Sequence, residues 1–110
     1  MINIKGNKLF HNNELLITVQ SSIKDFLILN NVIVLILNYD DFDSDRNIFG
    51  YNLNGEFKWQ ISEISKLHKR NYYTSIYLSE KQDLLAYNKN GVEITINEKN
   101  GCIIMSELIR

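Results

Sequence analysis

Ile48-Phe49-Gly50-Tyr51-Asn52-Leu53-Asn54-Gly55 returns further along the chain as Leu84-Leu85-Ala86-Tyr87-Asn88-Lys89-Asn90-Gly91. In each copy an apolar stretch meets Tyr-Asn-x-Asn-Gly and then an alternating segment, Glu56 to Ile61 in the first and Val92 to Ile96 in the second. Period-two alternation on both sides of Asn-Gly predicts a β-hairpin. The expected turn is type I′, because asparagine and glycine best tolerate the φ > 0 that both its central residues require. The two copies predict an all-β, antiparallel chain.

Outward from these hairpins, the remaining apolar segments also read as strands. Val32-Ile33-Val34-Leu35-Ile36-Leu37 is apolar at every position. Such a run is expected where both faces of a strand are covered, so it is the predicted central strand. Ile23 to Leu29 precedes it, with Asn30-Asn31 as the predicted hairpin turn. Met1 to Lys5, Lys8 to His11 and Glu14 to Val19 predict short strands joined by tight turns at Gly6-Asn7 and Asn12-Asn13. Tyr72 to Ser79 alternates, and the chain closes as a meander of Leu84 to Asn88, Val92 to Ile96 and Cys102 to Leu108. Ser62 to Arg70 is the one candidate helix, short and with only Ile64 and Leu67 to bury. Each hairpin copy with its preceding apolar strand resembles one propeller blade. Two such units fall short of the about four blades that close a ring. A two-sheet sandwich or a strongly bent sheet is therefore the expected architecture.

A chain of 110 residues fits one domain, 1–110, long enough to bury a core without disulfides or metal. Its 45% hydrophobic and 23% charged residues are an ordinary globular mix, which excludes disordered and fibrous classes. A net charge of −1 argues against a dedicated nucleic-acid binder, which normally carries a basic excess on one face. Only Lys66-Leu67-His68-Lys69-Arg70 is locally basic, and so short a cluster neutralises few phosphates. The longest apolar run is far below the ~20 residues of a membrane-spanning helix. Met1 to Lys5 lacks the apolar core of a secretory signal, which points to the cytoplasm.

No residue pattern predicts catalysis, a cofactor or a metal. Cys102 is the lone cysteine, so it can form no intrachain disulfide and no cysteine-based metal site. With no activating base nearby in sequence, it reads as a small buried thiol. His11 and His68 lack metal-ligand spacing. Asp41-x-Asp43-x-Asp45 has the opening spacing of a calcium loop, but Arg46 stands where the turn glycine belongs and Asn52 where the bidentate glutamate belongs. The same carboxylates lack the apolar pocket that would tune an acid–base pair.

What remains distinctive is the segment Tyr39-Asp40-Asp41-Phe42-Asp43-Ser44-Asp45, a polar connection with four carboxylates and two aromatics. It reads either as a solvated loop or as a docking surface in which charge steers encounter and aromatics add contact energy. The candidate partner-binding residues are Tyr39, Asp40, Asp41, Phe42, Asp43 and Asp45, facing a basic protein.

Val32 to Leu37, Asn47 to Ile61 with its Asn54-Gly55 turn, and Leu84 to Gly91 with the closing Asn100-Gly101 turn together resemble a group of small single-domain bacterial β proteins. That group includes immunity proteins of contact-dependent growth-inhibition systems. The resemblance spans about residues 30–108 and transfers no catalytic residue. It implies a cytoplasmic immunity protein that binds a cognate toxin domain, a nuclease being the class whose basic active site an acidic loop would cover. The alternative is a structural or accessory β module that mediates protein–protein association.

Overall fold

The computed structural model describes residues 1–63 and 71–109, and these form eleven strands in three antiparallel sheets. The first sheet holds β1 (Ile2–Lys5), β2 (Lys8–His11) and β3 (Glu14–Thr18). In the second are β4 (Ile23–Leu29), β5 (Val32–Leu37), β6 (Ile48–Asn52) and β7 (Phe57–Gln60), and in the third β8 (Tyr73–Leu78), β9 (Leu84–Asn88), β10 (Val92–Ile96) and β11 (Ile103–Leu108). Within every sheet each strand is hydrogen-bonded only to its neighbours in the chain. The all-β antiparallel expectation holds, with three stacked sheets in place of the expected two-sheet sandwich or strongly bent sheet. The third layer arises because the three short N-terminal strands make a sheet of their own. That sheet is hooked to the second where Gly6 O accepts from Ile23 N at 2.9 Å, and its β1–β2 turn is tied to the residue after β3: Asn7 O accepts from Val19 N at 2.9 Å and the Asn7 side-chain amide donates to Val19 O at 2.9 Å.

The apolar run at β5 explains the layering. All six of its residues are buried. Because side chains alternate across a strand, Val32, Val34 and Ile36 pack toward the third sheet with Trp59, Ile61, Ile76, Leu84, Ile94 and Ile96. Ile33, Leu35 and Leu37 pack toward the first with Leu9, Ile17 and Tyr51. The middle sheet is thus buried on both faces, as its composition predicts.

The turns depart from expectation. Positive φ at both central residues occurs at Asn12-Asn13 (51° and 69°) and Asn30-Asn31 (50° and 67°), so the two-residue primed turns are Asn-Asn. At Asn54-Gly55 and Asn90-Gly91 only the glycine has positive φ, 90° and 84°. Gly55 N donates to Asn52 O at 2.9 Å and Asn52 N to Glu56 O at 2.9 Å. These closures describe a three-residue loop in which a turn ends on a left-handed glycine. Asparagine has another duty here: Asn54 Oδ1 accepts from Glu56 N at 3.0 Å, and Asn88 Oδ1 accepts from Asn90 N at 2.9 Å and Val92 N at 3.0 Å. The two near-copies also occupy different places. The first joins the third and fourth strands of its sheet, the second the second and third.

Trp59 is 4% exposed and bridges two layers. A methyl group added at Gly50 would overlap its indole, and one at Gly101 would sit 2.6 Å from Cε3. The indole Nε1 donates to Glu98 O at 2.6 Å. Strict alternation over Glu56 to Ile61 would set Phe57 on the face of Trp59, but it lies on the other. The pairing shifts between Gly50↔Trp59 and Tyr51↔Phe57, and the extra residue Lys58 reverses the side. Phe57 is 61% exposed and meets Phe49 and Tyr51 edge-on.

Cys102 is exposed, not buried, because Ile103 takes the inward position at the start of β11. Of the candidate helix, Ser62 and Glu63 are not helical, and the remainder, with His68 and the basic cluster, lies outside the described residues.

Candidate functional site

The connection between β5 and β6 begins with a single 3-10 turn, Tyr39–Asp41, and crosses one end of the stacked sheets. Its aromatics hold it in place. The Tyr39 ring stacks on Tyr72 with centroids 4.0 Å apart and planes 14° from parallel, and the Lys89 ammonium sits 5.5 Å from the other ring's centroid. Phe42 is 8% exposed and packs edge-on against Phe49 in the core between the first and second sheets. Phe42 is therefore removed from the candidate contact residues: an apolar side chain in a loop over an open sheet end is more stable inside than offered to a partner.

Two of the four carboxylates have structural partners. Asp41 Oδ2 accepts from the Ser22 hydroxyl at 3.2 Å and from Ser22 N at 3.4 Å, tying the loop to the start of β4. Asp45 Oδ2 accepts from Asn71 N at 2.8 Å. Asn71 continues inward, its Oδ1 accepting from the Asn88 amide at 2.7 Å and the Asn90 amide at 2.9 Å. Asp40 and Asp43 point to solvent. The loop thus keeps three exposed carboxylates, Asp40, Asp41 and Asp43, on a backbone pinned at Tyr39, Phe42 and Asp45.

Beside them is an open hollow of about 360 Å³ lined by Gln20, Asp41, Phe42, Asp43, Ser44, Arg46 and Gln60. Arg46 Nε donates to Ile61 O at 2.7 Å and the Gln60 amide donates to Arg46 O at 2.8 Å, which sets the floor of the hollow. Gln20, Arg46 and Gln60 had no sequence signal as site residues. They come from the β3–β4 connection, the loop's end and β7, and only the layering of the sheets brings them together.

Polar groups line this hollow: Gln20, Asp41, Asp43, Ser44, Arg46 and Gln60. Among the described residues no group of three His, Cys, Asp or Glu side chains is placed to hold a metal ion. The ionisations displaced upward belong to tyrosines elsewhere. Tyr73, at the core between the second and third sheets, is pushed up to about 12 by burial. Tyr77 is also pushed up to about 12, by desolvation and then by its hydrogen bond to the Glu93 carboxylate. Tyr51 is raised by burial.

A family model described as "Domain of unknown function (DUF7957)" matches residues 1–108. No curated protein matches the chain. Among solved structures, a crystal structure of the computationally designed Ika8 protein is 12% identical, with a TM-score of 0.46, and the match covers 99% of this chain and 48% of that one. The chain therefore spans about half the length of that protein. No helix among the described residues is long and apolar enough to cross a membrane.

Proposed function

The chain belongs to the DUF7957 family, and we propose that it works by binding a basic protein through Asp40, Asp41 and Asp43 rather than by catalysis. The observation that supports this is the pinned acidic loop. A solvated connection pays ordering entropy when it docks, whereas this one is already held by a ring stack, a core phenylalanine and two carboxylate–backbone contacts. Its exposed charge steers a cationic surface toward the hollow, where Gln20, Arg46 and Gln60 supply directional polar contacts.

In this proposal the partner is a toxin domain with a basic, phosphate-attracting active site, the chain acts as its immunity protein, and both meet in the cytoplasm. The resemblance of about residues 30–108 to a group of small bacterial β proteins that includes immunity proteins supports that reading. A toxin domain encoded beside this chain is the partner to test, by calorimetric titration and by protection of cells that express it. Wild-type protein should bind and protect, and Asp40→Asn/Asp43→Asn should bind at least about tenfold more weakly with an unchanged thermal midpoint. Equal affinity of wild type and variant would remove the loop from the interface, and absence of binding by wild type would remove the immunity role. The accessory-module alternative draws on a different part of the molecule, the outer faces of the two terminal sheets.

A further inference from the structure

The middle sheet is covered on both faces, but among the described residues the first and third sheets each leave one face bare. In the first, Ile4, Leu9 and Ile17 pack inward, so strand alternation turns Asn3, Lys5, Lys8, Phe10 and Leu15 outward. In the third, Ile76, Ala86 and Ile94 pack inward, so Tyr77, Leu85, Tyr87, Glu93, Met105 and Glu107 face outward. Both faces carry apolar surface, with Leu15 53% and Met105 62% exposed. Their charges have opposite sign: Lys5 and Lys8 on one, Glu93 and Glu107 on the other. One charge on each face stands beside a ring, the Lys5 ammonium 6.0 Å from the Phe10 centroid and the Glu93 carboxylate accepting from the Tyr77 hydroxyl.

We infer that a second copy of this chain covers these faces, the lysine face of the first sheet in each copy stacking on the glutamate face of the third sheet in the other, so that two copies close a ring of six sheets. Charge selects this arrangement over the others. Pairing two first sheets would oppose Lys5 and Lys8 to themselves, and pairing two third sheets would do the same to Glu93 and Glu107, each a like-charge contact in a partly desolvated interface. Head-to-tail stacking matches the signs. It also repeats the layer-on-layer packing that the middle sheet already makes twice.

The count of sheets is compatible with closure. Three stacked sheets are fewer than the about four that complete a ring, whereas two copies supply six, within the usual range of four to eight. With a half-turn between copies, both terminal faces of each are used and none stays open. A head-to-tail contact without that rotation would propagate into filaments. The Asp40–Asp43 loop lies at the β5–β6 connection in the middle sheet and remains accessible in the pair.

The test is sedimentation of the whole chain at about 100 μM, a concentration that populates a micromolar dimer. The expected species has twice the 12.9 kDa chain mass. Glu93→Lys/Glu107→Lys has two basic faces and should be monomeric. Lys5→Glu/Lys8→Glu has two acidic faces and should also be monomeric. Mixed one to one, these two variants should regain the dimer, because each bare face then meets its opposite. If either double variant loses its far-UV β signature, Lys8→Glu and Glu107→Lys carry the same test on exposed side chains. A monomeric wild type, variants that dimerise alone, a mixture that stays monomeric, or open-ended polymers would each overturn the closed pair.

Discussion

The Asn47 side chain is paired with the backbone of Tyr73 as though it were a strand. Its Oδ1 accepts from Tyr73 N at 2.9 Å, and its Nδ2 donates to Tyr73 O at 2.9 Å and to Leu37 O at 3.0 Å. Asn47 is fully buried, so one amide joins β5 of the middle sheet to the first residue of β8. Replacing Asn47 by alanine strands a buried N–H and two carbonyls. A loss of about 3 kcal/mol is expected, since each buried unpaired group costs ~1–3 kcal/mol and the site relaxes in part. Urea denaturation measures it. Asn47→Asp should be no better at neutral pH, because it sets a carboxylate against two carbonyl oxygens.

Gly50 should refuse even alanine. Its added methyl would overlap the Trp59 indole, which cannot swing away because Gly101 closes the opposite side and Glu98 O holds Nε1. The expected cost is about 2–3 kcal/mol, the overpacking range. The same denaturation series should show Gly50→Ala far below wild type, with a red-shifted Trp59 emission if the ring is displaced.

Stability should fall at alkaline pH. Tyr73 and Tyr77 ionise near pH 10 in the unfolded chain but at about 12 when folded. Below pH 10 both states hold the phenolic protons, and above it the unfolded state releases them first. Stability present below pH 10 is therefore lost as pH rises from 10 through 12. Urea midpoints taken across that window should decline, and Tyr73→Phe should flatten the decline. The Tyr73 hydroxyl is buried with no hydrogen-bond partner among the described residues, so Tyr73→Phe should cost little at pH 7, within about 1 kcal/mol of wild type.

Three carboxylates of the acidic loop, Asp40, Asp43 and Asp45, should separate into two classes. Asp40→Asn and Asp43→Asn alter exposed side chains and should leave stability within about 0.5 kcal/mol. Asp45→Ala removes the acceptor for Asn71 N and should cost about 1–2 kcal/mol. Thermal midpoints of the three variants would distinguish a uniformly solvated loop from a pinned one.

Strand positions were legible because alternation and polar turns repeat so regularly, and β5 even announced its place between two layers by having no polar face. Turn geometry was less so. Asn-Gly suggests a primed pair, yet three-residue loops use the same letters, and the primed turns went to Asn12-Asn13 and Asn30-Asn31. The side that Phe57 takes is hidden from the sequence because a bulge at Lys58 shifts the period by one, which alternation alone does not reveal. For the candidate surface, the carboxylates were visible, but the burial of Phe42 depends on a core assembled from the N-terminal sheet, remote in sequence. The hollow's Gln20 and Gln60 come from separate connections and strands for the same reason.

The strict neighbour-to-neighbour pairing of the strands also has a kinetic meaning. Every sheet can form by closing short loops in succession, so the entropic barrier to pairing is low for an all-β chain. The step expected to be slowest is then the docking of the meanders, when β5 loses water from both sides. Asn47 and the Gly6–Ile23 contact act as latches at that stage, and a chain caught before they engage would show Val32 to Leu37 to solvent as a six-residue, β-branched, proline-free segment suited to aggregation.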